Sequence, residues 1–441
     1  MSKPLNNKNI LVDGFNLGLL KGSGIKTYGV TLLQAYQQMG CKVGIMTDNK
    51  SVDGKLKILD EVQYFDQQFQ KPASFFDRRM IRHARDLSRI WLKPKGHEII
   101  PKITSPDPQN YLSQVAGRDY QYLVNIRDVF HAANRLYGAT RKLTTVKLPK
   151  KPDIWHMTTP LPLKIPGVKT VITVHDLIPL KAPFTTLDVK THFYHLFKWA
   201  VHSADMILSV SEHTKRDIID IYDVPEEKIQ VTYQTYRRPE YVEEASFDPV
   251  YLKSKKLKSE KYILFVGNIE PKKNIKALIT AMGFIDSEYK LAIVGRKAWL
   301  ADDQLVDLDK YLATKEGDKL KKRYVFLDYV SESELAVLYR NATCLVFPSL
   351  YEGFGLPVLE AMQNDCPVIC SRMTSLPEVA GDAALYVDPY RHAEIRDQIE
   401  TLISNNERRQ KLIEKGRQRV DFFSPDNYVT RLNNAYDTLA D

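Results

Sequence analysis

Glu352 and Glu360 stand eight positions apart in Glu352-Gly-Phe-Gly-Leu-Pro-Val-Leu-Glu360, around a glycine turn that opens a helix. Gly353 and Gly355 let backbone N–H groups come close to a ligand. Pro357 suits the first helical turn, and the exposed helix N-terminus attracts phosphate. Glu360, on the first turns, is placed to accept hydrogen bonds from two neighbouring ribose hydroxyls, as an acidic residue does in dinucleotide-binding folds. Glu352, in the preceding loop, can hold sugar hydroxyls. The two glutamates alone are equally well read as an acidic capping arrangement at an ordinary helix.

The surroundings favour the nucleotide-sugar reading. The apolar strand Tyr262–Val266 runs into Gly267-Asn-Ile-Glu-Pro-Lys-Lys-Asn274 and then an amphipathic helix, which sets Lys272 and Lys273 at a tight turn. Positive charge at a helix start is slightly unfavourable, so this pair suits a bound diphosphate better than a solvated surface. A further strand, Leu291–Val294, ends in Gly295-Arg296-Lys297. Val325–Leu327 leads to Ser331-Glu-Ser-Glu334, a helix start. In the first half, Asn9–Asp13 reads as a strand followed by Gly22-Ser-Gly24, a loop open to an acceptor or to a pyrophosphate, and a helix from Gly29 to Met39. Strands are also expected at 42–46, 153–156, 170–174, 206–210 and 229–232. Strands alternating with helices predict an α/β fold with parallel sheets.

Taken together, VHDLIPL, SVSEHTK, FVGNIEPKKN, FPSLYEGFGLPVLEAM, SLPEVAGDAA and VDP resemble the retaining glycosyltransferases of family 4. The resemblance covers most of residues 160–440 and, more thinly, the first 50. It implies the GT-B architecture: two Rossmann-like domains facing across a cleft, with a C-terminal helix crossing back to the first. The expected boundaries are 1–245 for acceptor binding, 258–420 for the nucleotide sugar and 421–441 for the crossover helix, with the lysine-rich stretch 251–261 as a hinge. By the same resemblance, His175 contacts the transferred sugar and its carbonyl faces the anomeric carbon. Lys273 is the main cation on the leaving group, and Lys272 or Arg296 is the second. Catalysis falls to His175, Lys273 and Glu352; the donor is held by Gly24, Asn268, Lys272, Lys273, Arg296, Glu352, Gly353, Phe354, Gly355, Leu356 and Glu360. No metal or other cofactor is expected. The chain departs from the family at Asn268, a position basic in some members, and at Asn364-Asp365, where a helix end usually given to glycine falls to Asn or Asp.

Composition fits this class. A chain of 441 residues suits two domains. There is no run of 18 apolar residues and no signal-peptide core, so a cytoplasmic protein, peripheral on the inner face of the membrane, is expected. Four cysteines among apolar neighbours read as reduced structural thiols. Residues 1–250 hold 35 Lys and Arg against 26 Asp and Glu, and residues 251–441 hold 28 of each, so the whole net charge of +9 lies in the first half. That asymmetry suits anionic lipid or a pyrophosphate-linked acceptor; no nucleic-acid motif is present, and nucleic acid is not expected as a partner. Residues 75–92 interleave apolar residues with Arg78, Arg79, Arg82, Arg85 and Arg89 and fit either a membrane surface or a helix packed on its own domain. Asp307 and Asp309, His192 and His195, and the Asn341-Ala-Thr343 sequon read as decoys.

The expected activity is transfer of a hexose, mannose or a deoxyhexose foremost, from a nucleotide diphosphate sugar to a growing lipid-linked glycan of a bacterial surface polysaccharide. Two alternatives stand beside it: transfer to a soluble sugar acceptor, as in sucrose-type synthesis, and a non-catalytic nucleotide-sugar-binding subunit.

Overall fold

The computed structural model describes residues 5–17, 24–49, 94–100, 112, 118–237, 247–286, 288–296, 323–328 and 330–440. Residues 75–92, Gly22, Asp307 and Asp309 lie outside the described residues.

Two α/β units each surround a parallel sheet. The first sheet comprises β1 (Asn9–Asp13), β2 (Lys42–Thr47), β3 (His97–Ile99), β4 (Tyr122–Asn125), β6 (Ile154–Met157), β8 (Lys169–Val174), β9 (Met206–Ser209) and β10 (Ile229–Val231); a separate two-stranded ladder pairs β5 (Thr144–Thr145) with β7 (Leu163–Lys164). Its order is β10-β9-β8-β6-β1-β2-β4-β3, and β3 alone runs antiparallel to its neighbour. The second sheet comprises β11 (Tyr262–Val266), β12 (Lys290–Val294), β13 (Tyr324–Leu327), β14 (Cys344–Phe347), β15 (Val368–Ser371) and β16 (Ala384–Val387), ordered β13-β12-β11-β14-β15-β16 and parallel throughout. The central strands are short apolar runs buried on both faces, as parallel sheets covered by helices require, while the edge strands β3 and β13 are partly exposed.

In each sheet the order reverses beside the first strand of the unit, between β1 and β6 and between β11 and β14. A crevice opens at the carboxyl ends of the strands at such a switch point. Asp13 and Thr158 lie at the first crevice; Gly267 and Pro348 lie at the second.

The helix Pro425–Ala440 crosses back to the first unit. It packs Tyr428, Leu432, Ala435 and Tyr436 into the core formed by β1, β2 and the helix Gly24–Gln38, with Val429 and Leu439 at its edge. Tyr436 also enters a buried hydrogen-bond chain. Its hydroxyl lies 2.5 Å from that of Tyr36, which lies 2.5 Å from His156 Nδ1; His156 Nε2 is 2.8 Å from Thr173 Oγ1, and that oxygen is 2.7 Å from the Tyr28 hydroxyl.

Two local expectations differ. The helix after the first glycine loop begins at Gly24 rather than Gly29, because a glycine-containing first turn costs little once residues 28–36 bury their apolar face. The lysine-rich stretch after residue 250 is not an open hinge: the helix Phe247–Ser254 puts Tyr251 and Leu252 into the second core, joined by Leu257. The lysines keep their charges in water while the apolar residues between them pack.

Candidate functional site

The second crevice is built from two turns. After β11, the single 3₁₀ turn Pro271–Lys273 carries both lysines, and Asn274, at φ 53°, starts the helix Ile275–Met282. Asn274 Nδ2 donates to the carbonyls of Pro348 (3.2 Å) and Pro389 (2.7 Å), and Leu350 N donates to Lys272 O at 2.8 Å. The lysine turn is thereby fixed against the loop leaving β14. That loop runs through Tyr351 and Glu352 into the helix Leu356–Gln363. Ser375 Oγ donates to the carbonyls of Glu352 and Phe354, both at 2.9 Å, and Glu352 N donates to Thr374 Oγ1 at 3.1 Å. Gly355 has φ 113°, a conformation that L side chains rarely adopt, and a β-carbon there would fall 2.6 Å from Leu376.

These turns bring Lys273 Nζ to 2.6 Å from Glu352 Oε1, with the ammonium 4.8 Å from the centre of the Phe347 ring. Lys272 Nζ lies 3.6 Å from Glu270 Oε1. Burial alone would lift the Glu352 carboxyl, but Lys273 and Lys272 hold it below its ordinary range. Burial would lower the Lys272 ammonium; Glu352, Asp176 and Glu270 outweigh that and push it up. Two lysines and three carboxylates thus form one partly buried charge cluster, in which opposite charges hold one another ionised.

The first unit faces this cluster with His175, at the end of β8. His175 Nε2 lies 2.9 Å from Thr158 O and Nδ1 lies 3.2 Å from Gln234 Nε2, an arrangement that fits the neutral ring with its proton on Nε2. Burial pushes the imidazole down to about 4. Tyr28 packs edge-on against it, with ring centres 4.8 Å apart. The Thr158 N–H donates to Asp13, whose carboxyl burial pushes up to about 6. The His175 carbonyl, expected to face an anomeric carbon, accepts the Thr214 hydroxyl at 3.3 Å and abuts Gly353; Thr214 also reaches Gly353 O at 3.4 Å.

The other expected residues divide. Glu360 lies on the second turn of its helix, with Oε2 accepting the Tyr339 hydroxyl at 3.1 Å; burial raises its carboxyl. Gly24 faces Leu356 across the units, since a β-carbon there would lie 3.6 Å from Leu356 Cδ1. Asn268 and Arg296 follow the adjacent strands β11 and β12, and Ile269 N donates to Arg296 O at 2.8 Å; neither side chain enters the Lys273–Glu352 pair. Phe354 does not face the cluster. It is buried edge-on against Phe423, 5.4 Å between centres, where the chain turns into the crossover helix.

Sequence reasoning missed several participants. Asp176, next to His175, contributes negative charge beside Lys272, and Asp176 Oδ1 accepts Ile178 N at 3.0 Å; its place in the VHD motif was the available signal. Tyr351 donates to Asp217, which also holds Lys181 Nζ at 2.7 Å. Glu378 accepts the N–H groups of Glu212 (2.6 Å) and His213 (3.2 Å), placing its charge at the N-terminus of the helix Glu212–Tyr222. All four cysteines are buried and unpaired, and no helix among the described residues is long and apolar enough to cross a membrane. His192 packs against Tyr137, and among the described residues no group of three His, Cys, Asp or Glu side chains is arranged to hold a metal.

Two family models match the chain, Glycosyltransferase Family 4 over residues 80–235 and Glycosyl transferases group 1 over residues 251–419. O-antigen chain mannosyltransferase B of Escherichia coli is 34% identical over 278 residues, which cover 62% of this chain and 71% of that protein. The sucrose-phosphate synthase of Thermosynechococcus elongatus superposes with a TM-score of 0.65 at 17% identity, over 98% of this chain and 99% of that one. Anabaena HepE in complex with UDP-glucose superposes with a TM-score of 0.64 at 14% identity, over 98% and 100%. At these identities the two structures speak for the fold alone. The chain belongs to the family 4 glycosyltransferases and has their GT-B architecture.

Proposed function

We propose that this glycosyltransferase is a retaining, metal-independent hexosyltransferase that moves mannose, or a deoxyhexose, from a nucleotide diphosphate sugar to a lipid-linked glycan of a bacterial surface polysaccharide. The observation that carries the reading is the Lys273–Glu352 pair at the second crevice, 2.6 Å apart, with Lys272 beside it. A donor diphosphate takes over the two ammonium groups and releases the Glu352 carboxylate to the sugar hydroxyls. As the bond to the anomeric carbon breaks, charge grows on the diphosphate, and fixed cations stabilise it more in the transition state than in the ground state. A diphosphate oxygen accepts the acceptor's proton on the face it leaves, so configuration is retained. Glu360 takes the ribose hydroxyls in exchange for Tyr339. His175, neutral and fixed by Thr158 and Gln234, lines the sugar subsite. Because Gly353 covers its carbonyl, the units open to admit the donor and close again before the transfer.

The likeness to an O-antigen chain mannosyltransferase supports mannose and a polysaccharide chain as acceptor. The net charge of +9 in the first 250 residues supports work at an anionic membrane surface, on the cytoplasmic side where nucleotide sugars are made. The test is thermal stabilisation by GDP, UDP and dTDP, since ligand binding to the native state raises the melting temperature by mass action. Turnover of the matching sugar nucleotide follows, with the product's anomeric configuration read by NMR and excess EDTA present. Stabilisation by GDP and an α-linked product from an α-linked donor are expected. Hydrolysis and transfer both absent with every donor would leave a binding subunit, and an inverted product would remove the retaining assignment.

A further inference from the structure

The chain that leaves His175 and Asp176 passes through a short helix, Ile178–Lys181, and reaches the 3₁₀ turn Pro183–Thr185 and the start of the helix Lys190–Ser203. Within six residues it exposes three large apolar side chains: Phe184 is 67%, Leu187 71% and Val189 68% accessible. Single exposed apolar residues are ordinary; three within six residues of one loop ask for a partner surface. The loop is held in shape from below. Thr185 is buried and its hydroxyl donates to Ala182 O at 2.7 Å, while Lys190 Nζ donates to Thr186 O at 2.5 Å. Ala182 and Ile178 pack under it against Tyr351. The apolar tips therefore point outward from a braced base.

The surroundings are cationic and aromatic. Lys181 is taken up by Asp217 at 2.7 Å, with Asp220 at 3.9 Å, but from Ala182 to Ser203 the only acid is Asp188, whose carboxylate takes the Thr186 hydroxyl, against Lys190 and Lys198. The helix that follows presents half-buried Tyr194 and Trp199, and Lys198 Nζ lies 5.8 Å from the Tyr194 ring centre. Arg141 joins this rim, since Tyr137 touches both its guanidinium (5.6 Å) and the His192 ring (5.5 Å). Exposed apolar side chains, amphipathic rings and basic charge on neighbouring elements are the combination that an anionic bilayer interface binds. A second copy of this chain would instead meet the same positive charge.

We propose that Pro183–Val189 is a membrane-docking loop: Phe184, Leu187 and Val189 enter the interface of an anionic bilayer, and Lys190, Lys198 and Arg141 lie among the headgroups. The base of the loop, Ile178 and Ala182, packs on Tyr351, the neighbour of Glu352, so docking sets the cleft beside the surface that carries the acceptor. The inference rests on the membrane-borne acceptor proposed above and adds the element that reaches the membrane.

The test is sedimentation of the full chain with vesicles of phosphatidylglycerol and phosphatidylethanolamine, or of phosphatidylcholine alone. The wild-type protein should bind the anionic vesicles, and the triple change Phe184→Ser, Leu187→Ser, Val189→Ser should weaken partition at least about tenfold, given the free energy of inserting apolar side chains. Donor hydrolysis and the melting temperature should stay unchanged. In a second variant, Leu187→Cys, the new thiol is exposed while Cys41, Cys344, Cys366 and Cys370 are buried, so an environment-sensitive dye placed there should shift to the blue on adding anionic vesicles. Equal binding by the triple variant, or a dye that does not shift, overturns the docking loop and leaves the membrane reading standing. No vesicle binding by the wild type overturns both, and a monomer produced by the triple change from a wild-type dimer would assign the patch to a second copy.

Discussion

A β-carbon on Gly353 would fall 1.8 Å from the carbonyl oxygen of His175, although the two residues belong to different units. The oxygen is part of the backbone and Thr214 holds it, so it has little room to move. Gly353→Ala should therefore hold the units apart. Displacement of about 1 Å at a reacting centre costs on the order of a hundredfold in rate, and kcat/KM should fall by that much. Circular dichroism should show the secondary structure intact. Wild-type turnover in this variant would mean that the two residues separate throughout the catalytic cycle.

Lys273→Ala should lower kcat by on the order of a hundredfold, with a smaller change in KM, because leaving-group charge develops in the transition state. His175→Ala should also lower kcat while nucleotide affinity by calorimetry stays within a few fold. If both variants turn over at the wild-type rate, the reaction takes place elsewhere.

Glu360→Ala should act mainly on KM. Its ribose hydrogen bonds exist in the ground and transition states alike, and hydrogen bonds to a charged group contribute about 1.5–3 kcal/mol. Tyr339→Phe, which removes the resting partner at 3.1 Å, should leave donor affinity equal or slightly tighter. Calorimetric titration with the preferred nucleotide decides between a ribose contact and a purely structural Glu360.

His156 provides a pH test. Burial, with His175 adding to it, pushes this imidazole down to about 3, against about 6.5 in an unfolded chain. The folded pKa is the lower one, so the unfolded state takes up the proton first. The contribution to stability is complete above pH 6.5 and is lost as pH falls toward 3, by about 1.4 kcal/mol per unit. His156→Gln removes this titration, and its amide can still meet Tyr36 and Thr173. The stability gap between wild type and variant in urea should shrink by about 2 kcal/mol from pH 7 to pH 5. A gap independent of pH would show that His156 is not held neutral.

Much of the fold was legible because its cause is local. Continuous apolar runs marked the strands at 9–13, 170–174, 206–209 and 262–266. Ser331 and Glu334 form the capping box that their spacing announces. Asp365 takes the left-handed position, φ 53°, expected for a residue standing where glycine is usual. The helix expected at the C-terminus crosses back to the first unit, with Tyr428, Leu432, Ala435 and Tyr436 on its buried face. The lysine-rich stretch after residue 250 misled because charge density hid Tyr251 and Leu252, whose burial depends on the second core being there to receive them.

The sequence by itself determined where the glycine turns, helix starts and strand ends fall, and so which turn or strand end His175, Lys272, Lys273 and Glu352 occupy, since these follow from short-range sterics and apolar periodicity. Only the tertiary structure decided which charges neutralise one another. Lys273 and Glu352 are 79 residues apart in the chain, and they meet because β11 and β14 are neighbours at the switch point. Tyr351 and Asp217, 134 residues apart, meet because the two units close on each other, as do Glu378 and the helix beginning at Glu212. The direction of Phe354, into Phe423 rather than toward the donor, was settled by the apolar seam beneath the crossover helix. Contacts of that kind depend on how two finished cores pack together, a long-range balance of buried area and satisfied polar groups that no local pattern encodes.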